Sequence, residues 1–248
     1  MRQLDEGVFI EILKAGVRSC QDYMMRLTDY HGAPATTEYL LTADIARAFL
    51  DNGYPAEVEF LYRKLVTAMN MDKNRPLTTF GKTRADVAVV TDGIPKAIVE
   101  VKISGTGQSL GLAKDDLTKV ARLMKAYGPK SARSICAAVI FQTSFASRAG
   151  QEAEHIDTTS HLEKLHRVEQ DLRTELAAFA SSDDEVSYEL IGLLEPHSAV
   201  TATQKYESPD DTSELGQAGH VVQYHAVILR SSRPVPLPRS FKERLQQT

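Results

Sequence analysis

Three charged side chains, Asp86, Glu100 and Lys102, lie in two neighbouring segments rich in β-branched residues, ADVAVV and AIVEVKIS. Residues two apart on a strand point to the same face of a sheet, so Glu100 and Lys102 should emerge side by side, with Val101 facing the core. Pairing of the two segments would bring Asp86 alongside them. Two carboxylates held close together raise each other's pKa unless a cation neutralises them. The pattern therefore predicts a site for a hard divalent cation.

The chemistry expected at such a site is phosphodiester hydrolysis. Mg²⁺, with Mn²⁺ as the alternative, favours oxygen ligands and keeps several waters, so Asp86, Glu100 and a backbone carbonyl such as that of Val101 would form part of its shell. Lys102 would orient a nucleophilic water or stabilise negative charge on the phosphoryl oxygens. The competing interpretation is an exposed strand face with a cross-strand ion pair.

The elements that would position these residues follow from the surrounding pattern. The turn TDGIP between the two β-branched runs is a strong hairpin signal. After the loop SGTGQS, apolar residues recur at helical spacing in LAKDDLTKVARLMKAYG, and Gly128-Pro129 ends that helix. SICAAVIFQTSF has the composition of a buried strand. Upstream, Thr36 or Thr37 can cap a helix that extends to Leu50.

The remaining chain adds helices and strands around this centre. Residues 1–30 are predicted to be helical, AEVEFLYRKLVTAM a strand followed by a short irregular stretch, and 148–180 a charged helical excursion. SYELIGLL and HVVQYHAVILR are predicted strands, and the polar segment SAVTATQKYESPDDTSELGQAG between them a mobile loop. The tail 231–248 is basic and proline-rich. We expect one domain over 1–248, of the α/β class, with a mixed central β-sheet flanked by helices.

TRADVAVVTDGIPKAIVEVKIS, together with the LAKDDLTKVARLM helix, resembles the core of the PD-(D/E)XK, restriction-endonuclease-like nuclease superfamily. The resemblance covers roughly residues 36–145 and implies a restriction-endonuclease-like core. It implies that Asp86, Glu100 and Lys102 are catalytic, and that Glu38 in TTEYLL adds a metal ligand to Asp86 and Glu100. It also implies that Arg84, two residues before Asp86, meets a phosphate.

Any contact with nucleic acid must come from a local face, because the formal net charge is −4. Basic residues flank the proposed site on both sides, and the expected phosphate-binding residues are Arg84, Lys82, Lys114 and Lys119. DNA is the expected polymer. Enzymes of the superfamily often act as dimers, so a homodimer is one expected state.

Several function classes are not indicated. No run of about 18 apolar residues occurs, so we expect a cytoplasmic protein without a membrane partner. Cys20 and Cys136 stand far apart, without metal-ligand spacing, which argues against a zinc site or a disulfide framework. The main alternative to the nuclease is a non-catalytic nucleic-acid or protein-binding module with the same fold. A fortuitous match in an unrelated α/β interaction protein is the third hypothesis.

Overall fold

A computed structural model of the chain describes residues 4–31, 37–68, 83–104, 113–127, 135–146, 158–183, 185–204 and 215–231. Within these ranges the helices are α1 (Glu6–His31), α2 (Glu38–Asp51), α3 (Tyr62–Ala68), α4 (Lys114–Tyr127) and α5 (Thr159–Ala180). The strands are β1 (Ala56–Leu61), β2 (Arg84–Thr91), β3 (Ile94–Ser104), β4 (Cys136–Ala146), β5 (Val186–Gly192), β6 (His197–Gln204) and β7 (Leu215–Ser231). None of the helices in the described ranges is long and apolar enough to cross a membrane.

The predicted hairpin is confirmed as β2 and β3. Its turn places Asp92 at φ 51° and Gly93 at φ 70°, the left-handed conformations that a tight two-residue hairpin turn requires. The antiparallel register pairs Val87 with Val99 and Val89 with Ala97. This turn chemistry fixes which residues of the two strands face each other.

The strands form a seven-stranded mixed sheet, so the predicted α/β class is confirmed. The order is β1-β2-β3-β4-β7-β5, with β6 also paired to β7. β3 and β4 are parallel, and the other neighbouring pairs are antiparallel. Parallel neighbours need a crossover connection, which α4 provides here. The crossover brings α4 over the sheet next to β3.

The sheet has an apolar core on each face, because alternate strand residues point to opposite sides. One core packs α1 and α2 against residues such as Val99, Ile140 and Tyr224. The other packs α3, α4 and α5 against residues such as Ile98 and Val139. Glu100 and Lys102 have the same parity along β3 as Ile98, so they continue the second face.

The start of α2 matches the predicted cap. Thr37 has an extended backbone, and its side-chain hydroxyl accepts a hydrogen bond of 3.2 Å from the backbone N–H of Leu40. This contact satisfies a donor that the first helical turn would otherwise leave unpaired. It also fixes Glu38 as the first residue of the helix.

Two expectations differ from the structure. The stretch after β1 forms helix α3 rather than an irregular segment. Much of the predicted loop between the last two strands is paired, because residues 197–204 form β6 along the first half of β7. His161 is buried on the sheet-facing side of α5. The α5 portion of the predicted excursion is helical, whereas residues 147–157 and 232–248 lie outside the described ranges.

Candidate active site

The site begins where β2 and β3 stop pairing. The described ladder between them ends at Val87 and Val99, one residue before Asp86 and Glu100. Beyond that point a side chain of β2 bonds to the backbone of β3. Oδ2 of Asp86 accepts a hydrogen bond of 2.7 Å from the backbone N–H of Val101. This bond fixes one oxygen of Asp86 next to Glu100.

Glu100 is buried at the same place, with a relative exposure of 1%. Its Oε1 accepts hydrogen bonds from the Tyr62 hydroxyl, at 2.5 Å, and from Lys119 Nζ, at 3.2 Å. Burial, together with the charge of Asp86, raises the pKa of the Glu100 carboxyl to about 8, against the opposing effects of Lys119 and the Tyr62 hydrogen bond. The two contacts therefore do not fully offset the cost of ionising Glu100 at this position.

Lys102 lies between two carboxylates from two different helices. Its Nζ is 3.2 Å from Oε1 of Glu38, at the start of α2, and 3.3 Å from Oδ2 of Asp116, in the first turn of α4. Burial lowers the pKa of Lys102, but the charges of Asp116 and Glu38 outweigh burial and raise it to about 12. Lys102 is therefore an ammonium group at neutral pH.

Helix α4 contributes Asp116 and Lys119 to this cluster. Asp116, in the first turn of the helix, is buried, and its Oδ1 lies 2.6 Å from Lys119 Nζ. Lys119, expected to bind phosphate, contacts Asp116 and Glu100, and its side chain is only 20% exposed. Residues three apart share one face of a helix, so the spacing of Asp116 and Lys119 was the feature of the sequence that indicated contact between them. Only the crossover of α4 directs that face towards β3.

The structure also brings Tyr62, absent from the sequence-predicted site, to its centre. Tyr62 is the first residue of α3 and is fully buried. The Lys119 ammonium lies 5.3 Å from the centre of its ring. No local motif marks this tyrosine, because its contact with Glu100 joins residues 38 positions apart.

The other predicted phosphate-binding residues do not join this cluster. Arg84 is exposed on β2, and its Nη1 lies 3.7 Å from Oε2 of Glu59. Lys114 is exposed at the first position of α4. Lys82 lies outside the described residues. Arg84 and Lys114 are therefore solvent-facing groups on the elements that carry the site.

The cluster carries more negative than positive groups. Four carboxylates, those of Asp86, Glu100, Glu38 and Asp116, face two ammonium groups, so full ionisation leaves two negative charges uncompensated within it. One divalent cation would balance that charge. Over the described ranges no three His, Cys, Asp or Glu side chains are grouped to hold a metal. The two strand carboxylates, Asp86 and Glu100, are oxygen donors of the kind that a hard cation prefers.

Comparison of the chain with protein-family models found no match, and comparisons with curated proteins and with solved structures found none either.

Proposed function

We propose that this chain is a metal-dependent nuclease that hydrolyses phosphodiester bonds, with DNA as the preferred polymer. The observation that carries the proposal is the convergence of Asp86 and Glu100 at the open end of the β2–β3 hairpin, with Lys102 next to Glu100 on β3. A buried carboxyl such as that of Glu100, whose pKa is raised by burial and by a neighbouring carboxylate, is one that a divalent cation stabilises in its ionised form. Functional sites concentrate such perturbed groups.

The fold supports the same proposal. The mixed sheet carries the acidic residue of the first hairpin strand, then the acid-x-Lys triplet of the second, then a helix that crosses to a parallel strand. This order is the one on which the resemblance to the PD-(D/E)XK superfamily rests. We therefore propose a restriction-endonuclease-like core made of β2, β3, α4 and β4, with Glu38 of α2 at its rim.

In the proposed reaction, Asp86 and Glu100 would hold Mg²⁺ or Mn²⁺. When bound, the cation would polarise the phosphoryl oxygen and lower the pKa of a coordinated water. Val101 keeps Asp86 in place through its backbone N–H. The two acids around Lys102 keep it protonated, with a pKa of about 12, so Lys102 donates hydrogen bonds and stabilises negative charge rather than removing a proton.

Cleavage assays test this proposal. Linear DNA, circular DNA and RNA would be incubated with wild-type protein, Glu100→Gln and Lys102→Ala, in Mg²⁺, Mn²⁺ or EDTA. We expect metal-dependent cleavage of DNA, reduced by at least roughly a hundredfold in both variants, since Glu100→Gln removes a proposed metal ligand and Lys102→Ala removes a group that stabilises developing charge. Matched controls are Glu163→Gln, an exposed acid on α5, and Lys96→Ala, on the same strand as Lys102. Both controls should cleave as the wild type does.

A second function, a non-catalytic binding module, is favoured by one observation. Lys102 and Lys119 are already engaged with Glu38, Asp116 and Glu100, as in a structural ion-pair network. Absence of cleavage on every polymer, together with a divalent-cation affinity that Glu100→Gln leaves unchanged, would refute the nuclease and support the module.

A further inference from the structure

Hydrogen bonds among the described residues hold each of the two strand carboxylates through one oxygen. Those of Glu100 end on Oε1, and that of Asp86 ends on Oδ2. A carboxylate fixed through one oxygen presents the other in a defined direction. Glu100 Oε2 and Asp86 Oδ1 accept none of these hydrogen bonds.

We propose that Tyr62 is a positioning residue, which holds Oε1 of Glu100 and thereby directs Oε2 to the metal. This inference rests on the proposed function, because it assumes that Glu100 is a ligand. Three features single out Tyr62: its side chain is fully buried, its hydroxyl lies 2.5 Å from Oε1, and its helix begins directly after β1. Groups that hydrogen-bond to ligating carboxylates orient them and affect metal affinity by about 10- to 100-fold.

Lys119 shares this role. Its ammonium group donates a hydrogen bond to the same Oε1 and lies 5.3 Å from the centre of the Tyr62 ring. The aromatic face therefore stabilises the positive charge beside Glu100 through a cation–π contact. Oδ1 of Asp116 lies 2.6 Å from the same ammonium group. Tyr62 and Lys119 thus fix a single orientation of Glu100. Both donors bind Oε1 in that orientation, and Oε2 is the oxygen directed to the proposed metal.

The chain contains a matched control for Tyr62. Tyr188 donates a hydrogen bond of 2.8 Å to Oδ2 of Asp183, and that oxygen also lies 2.8 Å from Nζ of Lys125 on α4. This second Tyr–carboxylate–Lys group includes none of the residues of the candidate site. Tyr188→Phe therefore removes a similar hydrogen bond without touching the proposed ligands.

The test is Mn²⁺ binding, measured by electron paramagnetic resonance on wild-type protein, Tyr62→Phe and Tyr188→Phe. We expect the dissociation constant to rise at least about tenfold in Tyr62→Phe and to stay unchanged in Tyr188→Phe. Bound Mn²⁺ should also give a different spectrum in Tyr62→Phe, since the orientation of a ligand changes. Thermal unfolding in EDTA provides the check that both variants are folded.

A second measurement follows the absorbance of the tyrosines. The chain has nine tyrosines and no tryptophan, so its near-ultraviolet absorbance comes mainly from tyrosine. Metal binding to Glu100 should perturb the Tyr62 hydroxyl and give a tyrosine difference spectrum that Tyr62→Phe abolishes and Tyr188→Phe retains. Metal binding by the wild type with an equal affinity in Tyr62→Phe overturns the positioning role alone. If the wild type binds neither Mn²⁺ nor Mg²⁺, the proposed metal-dependent function itself fails.

Discussion

The pKa of Glu100 leads to a quantitative prediction for stability without metal. The value rises from 4.5 in the unfolded chain to about 8 in the folded protein, chiefly because the carboxyl is buried. A group whose pKa is raised on folding stabilises the protein below its unfolded pKa, and that stability is lost as pH rises towards the folded pKa. The full shift corresponds to roughly 5 kcal/mol, and about 3 kcal/mol of it falls between pH 5 and pH 7.5.

The perturbation that isolates this effect is Glu100→Gln, which keeps the side-chain shape and an acceptor for Tyr62 but cannot ionise. We expect the stability of the wild type relative to Glu100→Gln to fall by about 3 kcal/mol from pH 5 to pH 7.5. Urea unfolding at several pH values, in EDTA, measures this difference. All other titrating groups are common to both proteins, so their contributions largely cancel in the comparison.

The control is Glu163→Gln, because the Glu163 side chain is 65% exposed on α5. Its stability relative to the wild type should not change over the same pH range. Saturating Mg²⁺ should remove most of the pH dependence seen with Glu100→Gln, because a bound cation stabilises the ionised carboxyl. A relative stability of Glu100→Gln that is independent of pH between 5 and 7.5 would refute the reasoning, since it would mean that Glu100 ionises as an exposed acid does.

Three further predictions concern stability and can be measured by urea unfolding. Asp116→Asn should lower the free energy of unfolding by about 3 kcal/mol, because it leaves two ammonium groups without their shared carboxylate. Asp115→Asn, at the exposed neighbouring position, should not change it measurably. Equal effects would contradict the buried pairing. Gly16→Ala should lower the free energy of unfolding by about 1–3 kcal/mol, since an added Cβ would lie 2.7 Å from Cα of Ile45 and force α1 away from α2. Unchanged stability would argue against this close approach. Thr37→Ala should cost about 1 kcal/mol through loss of the α2 cap, and Thr37→Ser should restore it; failure of the serine to rescue would exclude capping as the cause.

The sequence was most informative where the determining interactions are local. The Asp92-Gly93 turn and the β-branched runs beside it predict the β2–β3 hairpin, because residue types set turn geometry and strand preference over a few positions. Alternation along β3 then predicts that Glu100 and Lys102 share a face. Helices α1, α2 and α4 follow from apolar spacing and end signals in the same way.

Local patterns were insufficient where long-range pairing decides the outcome. β6 forms in a polar segment because β7 offers it an edge to pair with, a contact that composition does not show. His161 is buried because α5 turns that residue towards the sheet. The periodicity of AEVEFLYRKLVTAM fits a strand and a helix alike, and the structure forms both, β1 followed by α3.

The same division applies to the candidate site. Two-residue periodicity and one turn are enough to place the two acids and the lysine on neighbouring strands. The positions of Tyr62, Asp116 and Lys119 around them depend on long-range packing, because the parallel pairing of β3 with β4 carries α4 across the sheet and α3 packs beside Glu100. Burial, which raises the pKa of Glu100, belongs to the assembled fold, because desolvation depends on every element that excludes water from the site.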